Sequence, residues 1–169
     1  MPEPSNIKFF KTAADLRKWF EKYHAKKDEL WLGYYKKLSG KPTLKYGEAV
    51  DQALCFGWID GLRKSVDADA YMIRFTPRRA GSNWSAVNIR RVAALTAAGL
   101  MQPAGLRAFE KRAEEKSGIY SYETRPDALP EPYAAILREN KAAWKDFCQR
   151  SVSYRRGAIG WVISAKAED

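Results

Sequence analysis

The stretch from Leu54 to Arg91 gathers most of the side chains in this chain that could do chemistry. It holds a cysteine, an Asp-Gly pair, six arginines, several aromatics and a serine/asparagine-rich segment. Within it, Phe75-Thr76-Pro77-Arg78-Arg79-Ala80-Gly81-Ser82-Asn83-Trp84-Ser85 links a predicted strand end to a predicted helix start. Pro77 fixes its own φ and pushes Thr76 into an extended conformation. Gly81 permits an unusual turn. A helix beginning near Trp84 would offer N–H groups and a partial positive charge. Two arginines just ahead of such a helix end are the makings of an anion site. Ser85, Asn88 and Arg91 follow at i, i+3 and i+6, a polar side leading away from it. The expected ligand-binding residues are Arg78, Arg79, Ser82, Asn88 and Arg91, with Arg74 and Trp84 in support. The competing reading is an ordinary capped helix whose arginines pair with Asp60, Asp67 or Asp69.

Other residues in this chain invite a chemical role and also have a plain structural one. Cys55 is a candidate nucleophile, but it lies near a helix C-terminus, where the dipole raises a thiol pKa. No histidine is near it in sequence. Asp60 is a candidate general base or metal ligand; as part of Asp-Gly it is also a turn former. Trp31, Tyr35, Trp58 and Trp84 could stack a ring or fill the core. Arg155 and Arg156 start the last helix, where a cation is unfavourable for the dipole; they either contact a second anion or pair with Glu131 or Asp146. His24 reads as a solvated residue ending a lysine-rich helix. No standard catalytic signature is present, so the question of an enzyme stays open.

The elements that must position these residues follow from periodicity. Ile7 to Phe10 is a short strand. Thr12 opens a helix, with Asp15 completing a short-armed capping box, and Leu16, Trp19, Phe20 and Tyr23 form one apolar stripe. Glu29 to Lys37 reads as a strand that is apolar on both faces, hence central and covered on both sides. Tyr46 to Phe56 is a helix stopped by Gly57. Asp60-Gly61 predicts a tight hairpin between Trp58-Ile59 and Leu62-Arg63. Val66 to Asp69 is a second turn, and Ala70 to Phe75 alternates as a strand. Helices are then predicted over Trp84 to Ala98, capped by Ser82 or Asn83 and stopped by Gly99, and from Pro103 to about Lys116. A loop rich in tyrosine and proline runs from Gly118 to Pro130, and the aromatic stretch 118–133 is a candidate protein-interaction surface. A single helix from Pro132 carries Tyr133, Ile136, Leu137, Trp144, Phe147 and Cys148. Ser151 or Ser153 caps the last one.

The fold class is therefore α+β: a small antiparallel sheet with covering helices, followed by a helical C-terminal part. Residues 1–82 are expected to form the α+β domain, and residues 83–169 a helical subdomain packed on it.

An apolar fraction of 46% with six tryptophans supports a packed core and excludes a disordered chain. No apolar run is long enough for a membrane span. The two cysteines, Cys55 and Cys148, lie far apart in apolar patterns and are expected to be free and buried. With one histidine and two cysteines, a zinc site is not expected, and no cofactor is implied. The net charge is +10; residues 1–106 carry 18 Lys/Arg against 10 Asp/Glu, and residues 107–169 carry 12 against 10. A basic half suits an anionic small molecule, an acidic protein surface or nucleic acid. The start, Met1-Pro2-Glu3-Pro4, has no secretory pattern, so a cytoplasmic location is expected.

Ala53-Leu54-Cys55-Phe56-Gly57-Trp58-Ile59-Asp60-Gly61, then Arg74 to Val92, then Ser153 to Lys166 form three ordered motifs. They resemble the YdeI/OmpD-associated, or bacteriocin-protection, family over nearly the whole chain. The resemblance implies a small bacterial α+β protein with a helical C-terminal part, linked to envelope stress and to resistance against bacteriocins or antimicrobial peptides. It implies no catalytic residues. The combined expectation is a stress-associated binder of an anionic ligand or acidic partner. The alternatives are an enzyme acting on a phosphorylated or carboxylated small molecule, with Asp60 or Cys55 as the active group, and a nucleic-acid binder.

Overall fold

The computed structural model describes residues 6–118 and 126–165. The chain divides into two compact units, at Ser117/Gly118.

In the first unit, β1 (Ile7–Phe9), α1 (Ala13–Tyr23), β2 (Leu30–Tyr35), α2 (Tyr46–Cys55), β3 (Trp58–Ser65) and β4 (Ala70–Pro77) are followed by α3 (Ala86–Ala97) and α4 (Pro103–Glu110). The strands form one sheet in the order β1-β2-β4-β3. β4 pairs antiparallel with both β2 and β3, but β1 runs parallel to β2. The sheet is thus mixed rather than wholly antiparallel, because α1 carries the chain back to the starting end between β1 and β2. The α+β class with a helical C-terminal part holds.

Local signals explain most of these elements. Thr12 caps α1: its Oγ1 accepts from the Asp15 N–H at 3.2 Å and its hydroxyl donates to the Asp15 carboxylate at 2.7 Å. The stripe residues Leu16, Trp19 and Phe20 are buried. Phe20 and Trp19 meet Trp58 edge-on, at 5.5 and 5.8 Å, which lays α1 on the sheet face that carries Leu30, Leu32 and Phe75. α2 packs on α1 and β3, and α3 and α4 pack on α2. Gly57 and Gly99 stop their helices in the left-handed region, at φ 76 and 67. Gly105 lets α4 touch the end of α2: a Cβ there would fall 2.3 Å from the Cys55 carbonyl oxygen.

Several expectations of local structure are corrected in this unit. Asp60-Gly61 is not a hairpin turn. β3 runs unbroken through it, and the register shifts by one residue between Asp60, opposite Phe75, and Arg63, opposite Ile73. The extra residue makes a β-bulge, and Gly61 is not among the glycines with positive φ. The hairpin forms instead at residues 66–69, where the Asp67 carboxylate accepts from the N–H groups of Asp69 and Ala70. Nor is β2 covered equally on both sides, since Trp31 and Tyr35 on its second face are only half-buried. The predicted helix from Pro103 to Lys116 ends at Glu110, and residues 114–116 form a separate 3-10 turn.

The second unit holds α5 (Glu131–Glu139), α6 (Lys141–Gln149) and α7 (Val152–Ser164). The single helix expected from Pro132 is broken at Asn140. Its side chain accepts from the Ala143 N–H at 3.0 Å, so it caps α6 instead of continuing α5. Ser151 caps α7. Ala134 and Ile159 are buried, whereas Cys148 is free and exposed, against the expectation that it is buried. Arg156 pairs with Asp127, while Glu131 and Asp146 are taken by Arg138 and Arg150. The tyrosines of the 118–130 loop lie outside the described residues. Among the described residues, no helix is long and apolar enough to cross a membrane.

Candidate functional site

After β4 the backbone stays tied to the sheet: the Arg78 N–H donates to the Gly57 carbonyl at 2.9 Å. The chain then turns at Gly81, φ 66, with the Ser82 N–H closing onto the Arg79 carbonyl at 3.2 Å. Arg78 folds back over this turn. Its guanidinium lies 3.6 Å from the Trp84 ring centroid and donates to the Asn83 carbonyl at 3.1 Å, with Ser82 Oγ at 3.5 Å.

Trp84 is not the first residue of a helix, as the sequence suggests. Its N–H donates to the Lys116 carbonyl at 3.0 Å, it forms a parallel bridge with Ser117, and its buried ring meets Phe109 edge-on at 5.2 Å. Helix α3 therefore starts two residues later, and its cap is Ser85, whose Oγ accepts from the Asn88 N–H at 3.1 Å. The clamp on Trp84 carries Lys116 to the turn, where its Nζ lies 4.0 Å from the position a Cβ would take on Gly81. Sequence reasoning missed Lys116. It appears there only as the tail of a predicted helix, and nothing local links it to a residue 32 positions earlier.

The nine candidates thus separate. Arg78 contacts both Ser82 and Trp84, and Arg79 lies exposed on the same turn. Arg91 points to α2 and pairs with Asp51 at 2.5 Å, donating also to the Gly47 carbonyl at 3.0 Å. Arg74 pairs with Glu29 at 2.8 Å. None of Asp60, Asp67 and Asp69 takes one of these arginines in the ion pairs of the described residues; Asp69 pairs with Lys41. Asp60 accepts from the Tyr46 hydroxyl at 2.7 Å. Cys55 is fully buried, and burial pushes its thiol pKa up, outweighing the lowering effect of nearby Arg17. His24 is half-buried rather than solvated, with Nδ1 2.7 Å from the Phe20 carbonyl and its ring against Phe56.

Residues 8–108 match the family model of a domain of unknown function, DUF8412. The chain belongs to this family. The match spans the sheet and runs through α3 into α4, so it takes in the Arg78–Trp84 turn but stops short of Lys116. Residues 128–169 match the model described as bacteriocin-protection, YdeI or OmpD-associated. That second match is partial: of the three motifs that carry the resemblance, only Ser153 to Lys166 falls within it. No curated protein and no solved structure matches the chain.

Proposed function

We propose that this DUF8412 protein binds an anionic small ligand or an acidic partner at the turn 78–82. The carrying observation is that the Lys116 ammonium reaches the turn that also carries the exposed Arg79. Neither Arg79 nor Lys116 enters an ion pair among the described residues. Arg78 supplies rigidity, because its hydrogen bond and its stacking on a buried ring remove most of its rotamer freedom. A preorganised frame reduces the ordering cost of binding, and the nearby start of α3 adds a favourable dipole. Arg74 and Arg91 stay with their carboxylates and are not part of this contact.

An enzyme built on Cys55 has little support, since a buried thiol with a raised pKa is a poor nucleophile. The second family match supports a role connected with bacteriocin protection. With a net charge of +10, direct electrostatic capture of cationic peptides is unfavourable, so protection would act through the bound anion or an acidic partner.

Thermal-shift measurements with sulfate, inorganic phosphate, sugar phosphates and an acidic peptide test this reading. A probe at about 100 times its Kd adds roughly 2.7 kcal/mol of stability. Arg79→Ala with Lys116→Ala should abolish the shift, and Lys22→Ala on α1 should leave it. Absence of a shift with every probe, or a shift that survives the double variant, overturns the assignment.

A further inference from the structure

A cleft of about 460 Å³ opens between the second half of α1 and the edge strand β1. Trp19, Tyr23 and Leu30 form its apolar wall, and its polar lining includes Lys8, Lys27 and Asp28. Such a volume lies within the range of roughly 300–1,000 Å³ that small-molecule sites occupy. Lys8 stands opposite Leu32 in the β1–β2 pairing, so alternation turns it to the sheet face on which α1 lies.

The connection from α1 to β2 is tied down by hydrogen bonds. The Trp58 indole N–H donates to the His24 carbonyl at 3.3 Å, and the N–H groups of Lys26 and Lys27 both donate to the Tyr23 carbonyl, at 2.9 and 3.0 Å. These bonds fix the backbone that carries Lys27 and Asp28 to the cleft. The wall is fixed as well: the Trp19 ring meets Tyr23 at 5.5 Å and Trp58 at 5.8 Å. Its rings are packed on one another, so the wall offers apolar surface to bury rather than a face to stack on.

The charges decide what fits. Glu29, the next residue along, is taken by Arg74 at 2.8 Å. Lys8, Lys27 and Asp28 enter no ion pair among the described residues. A purely anionic ligand would meet Asp28, and a purely cationic one would meet the two lysines. A neutral ligand would displace water from all three and return no charged partner. A zwitterion answers both signs. We propose that this cleft binds a free α-amino acid with an apolar side chain. Asp28 takes the ammonium, Lys8 and Lys27 take the carboxylate, and the side chain lies along Trp19, Tyr23 and Leu30. The cleft shares no residue with the turn 78–82 and takes a different class of ligand.

Isothermal titration calorimetry near neutral pH tests this, with leucine, isoleucine, methionine and phenylalanine as probes. At least one should bind with a Kd below about 1 mM, and glycine, which has no side chain for the wall, should not. 3-Phenylpropionate lacks the ammonium and 2-phenylethylamine lacks the carboxylate. Each should bind about 10- to 100-fold more weakly than phenylalanine, the loss expected for one charge-assisted hydrogen bond. Asp28→Asn should weaken phenylalanine by a similar factor and leave 3-phenylpropionate no weaker. Lys8→Met with Lys27→Met should weaken phenylalanine and 3-phenylpropionate and leave 2-phenylethylamine no weaker. A variant that had merely lost its fold would weaken every probe alike. Lys145→Ala, on α6, should leave all affinities within about twofold, as expected of a substitution outside the cleft. Absence of binding by all four amino acids overturns the proposal. So does equal affinity for phenylalanine and 3-phenylpropionate, or an Asp28→Asn variant with unchanged affinity for phenylalanine.

Discussion

The guanidinium of Arg78 lies 3.6 Å above the ring of Trp84, six residues further on, and closes the turn between β4 and α3. The ring beneath it is buried and held by its own N–H on the Lys116 carbonyl. An arginine that reads as an anion-binding group is thus first a structural one, and it makes the turn rigid enough to present its neighbours.

Arg78→Ala should lower unfolding stability by about 2 kcal/mol, from loss of the cation–π contact and of a charged hydrogen bond to a carbonyl. Arg78→Lys should recover only part of this, because an ammonium cannot lie flat on the ring and reach Asn83 together. Urea denaturation of the three proteins checks it. A wild-type midpoint in Arg78→Ala would show that the turn holds without the clamp.

Gly105 and Gly99 make a matched pair. A Cβ on Gly105 meets the carbonyl oxygens of Cys55 and Leu54 at 2.3 and 2.6 Å, and backbone cannot step aside. Gly105→Ala should cost about 3 kcal/mol and separate α4 from α2. Gly99, at φ 67 with nothing within 4 Å, has only backbone strain to lose. Gly99→Ala should cost about 1 kcal/mol. Thermal unfolding that ranks the two the other way would refute the close helix approach.

The two thiols should differ in reactivity. Cys55 is buried and Cys148 exposed. A thiol reagent near pH 8 should modify Cys148 rapidly in the native protein and reach Cys55 only after denaturant is added. Peptide mapping identifies the sites, and rapid native labelling of Cys55 would contradict the packing of α2 beneath α4.

Stability should fall in alkali, in two stages. Burial raises the folded-state pKa of the Cys55 thiol and of the Tyr34 phenol above their ordinary values of 9.0 and 10.0. Below those values both states hold the protons, and the contribution is complete. As pH rises past them, only the unfolded chain ionises, so stability is lost up to the folded-state pKa. The Tyr34 hydroxyl is also buried with no hydrogen-bond partner among the described residues, its ring stacked on Tyr71. Tyr34→Phe should therefore stabilise the protein by about 1 kcal/mol at neutral pH and flatten the decline above pH 10. A destabilised Tyr34→Phe would mean that the hydroxyl has a partner in solution.

What the sequence by itself determined was the set of features written in short-range chemistry. The Thr12 cap needs only a hydroxyl three residues before an N–H. The Leu16–Trp19–Phe20 stripe needs only helical spacing, and Gly57 and Gly99 need only the left-handed backbone that ends a helix. These contacts close within one turn, so residue order specifies them. The tertiary structure decided the rest. The Asp60-Gly61 hairpin became a bulge because β4 offers β3 a longer ladder than a two-residue turn could. Trp84 left its helix for a carbonyl on Lys116, and Arg91 left the anion site for Asp51. Each outcome was a competition between a local preference of about 1 kcal/mol and a long-range contact of equal or greater strength. Such a contact depends on which segments meet in space, and neighbouring residues carry no record of that.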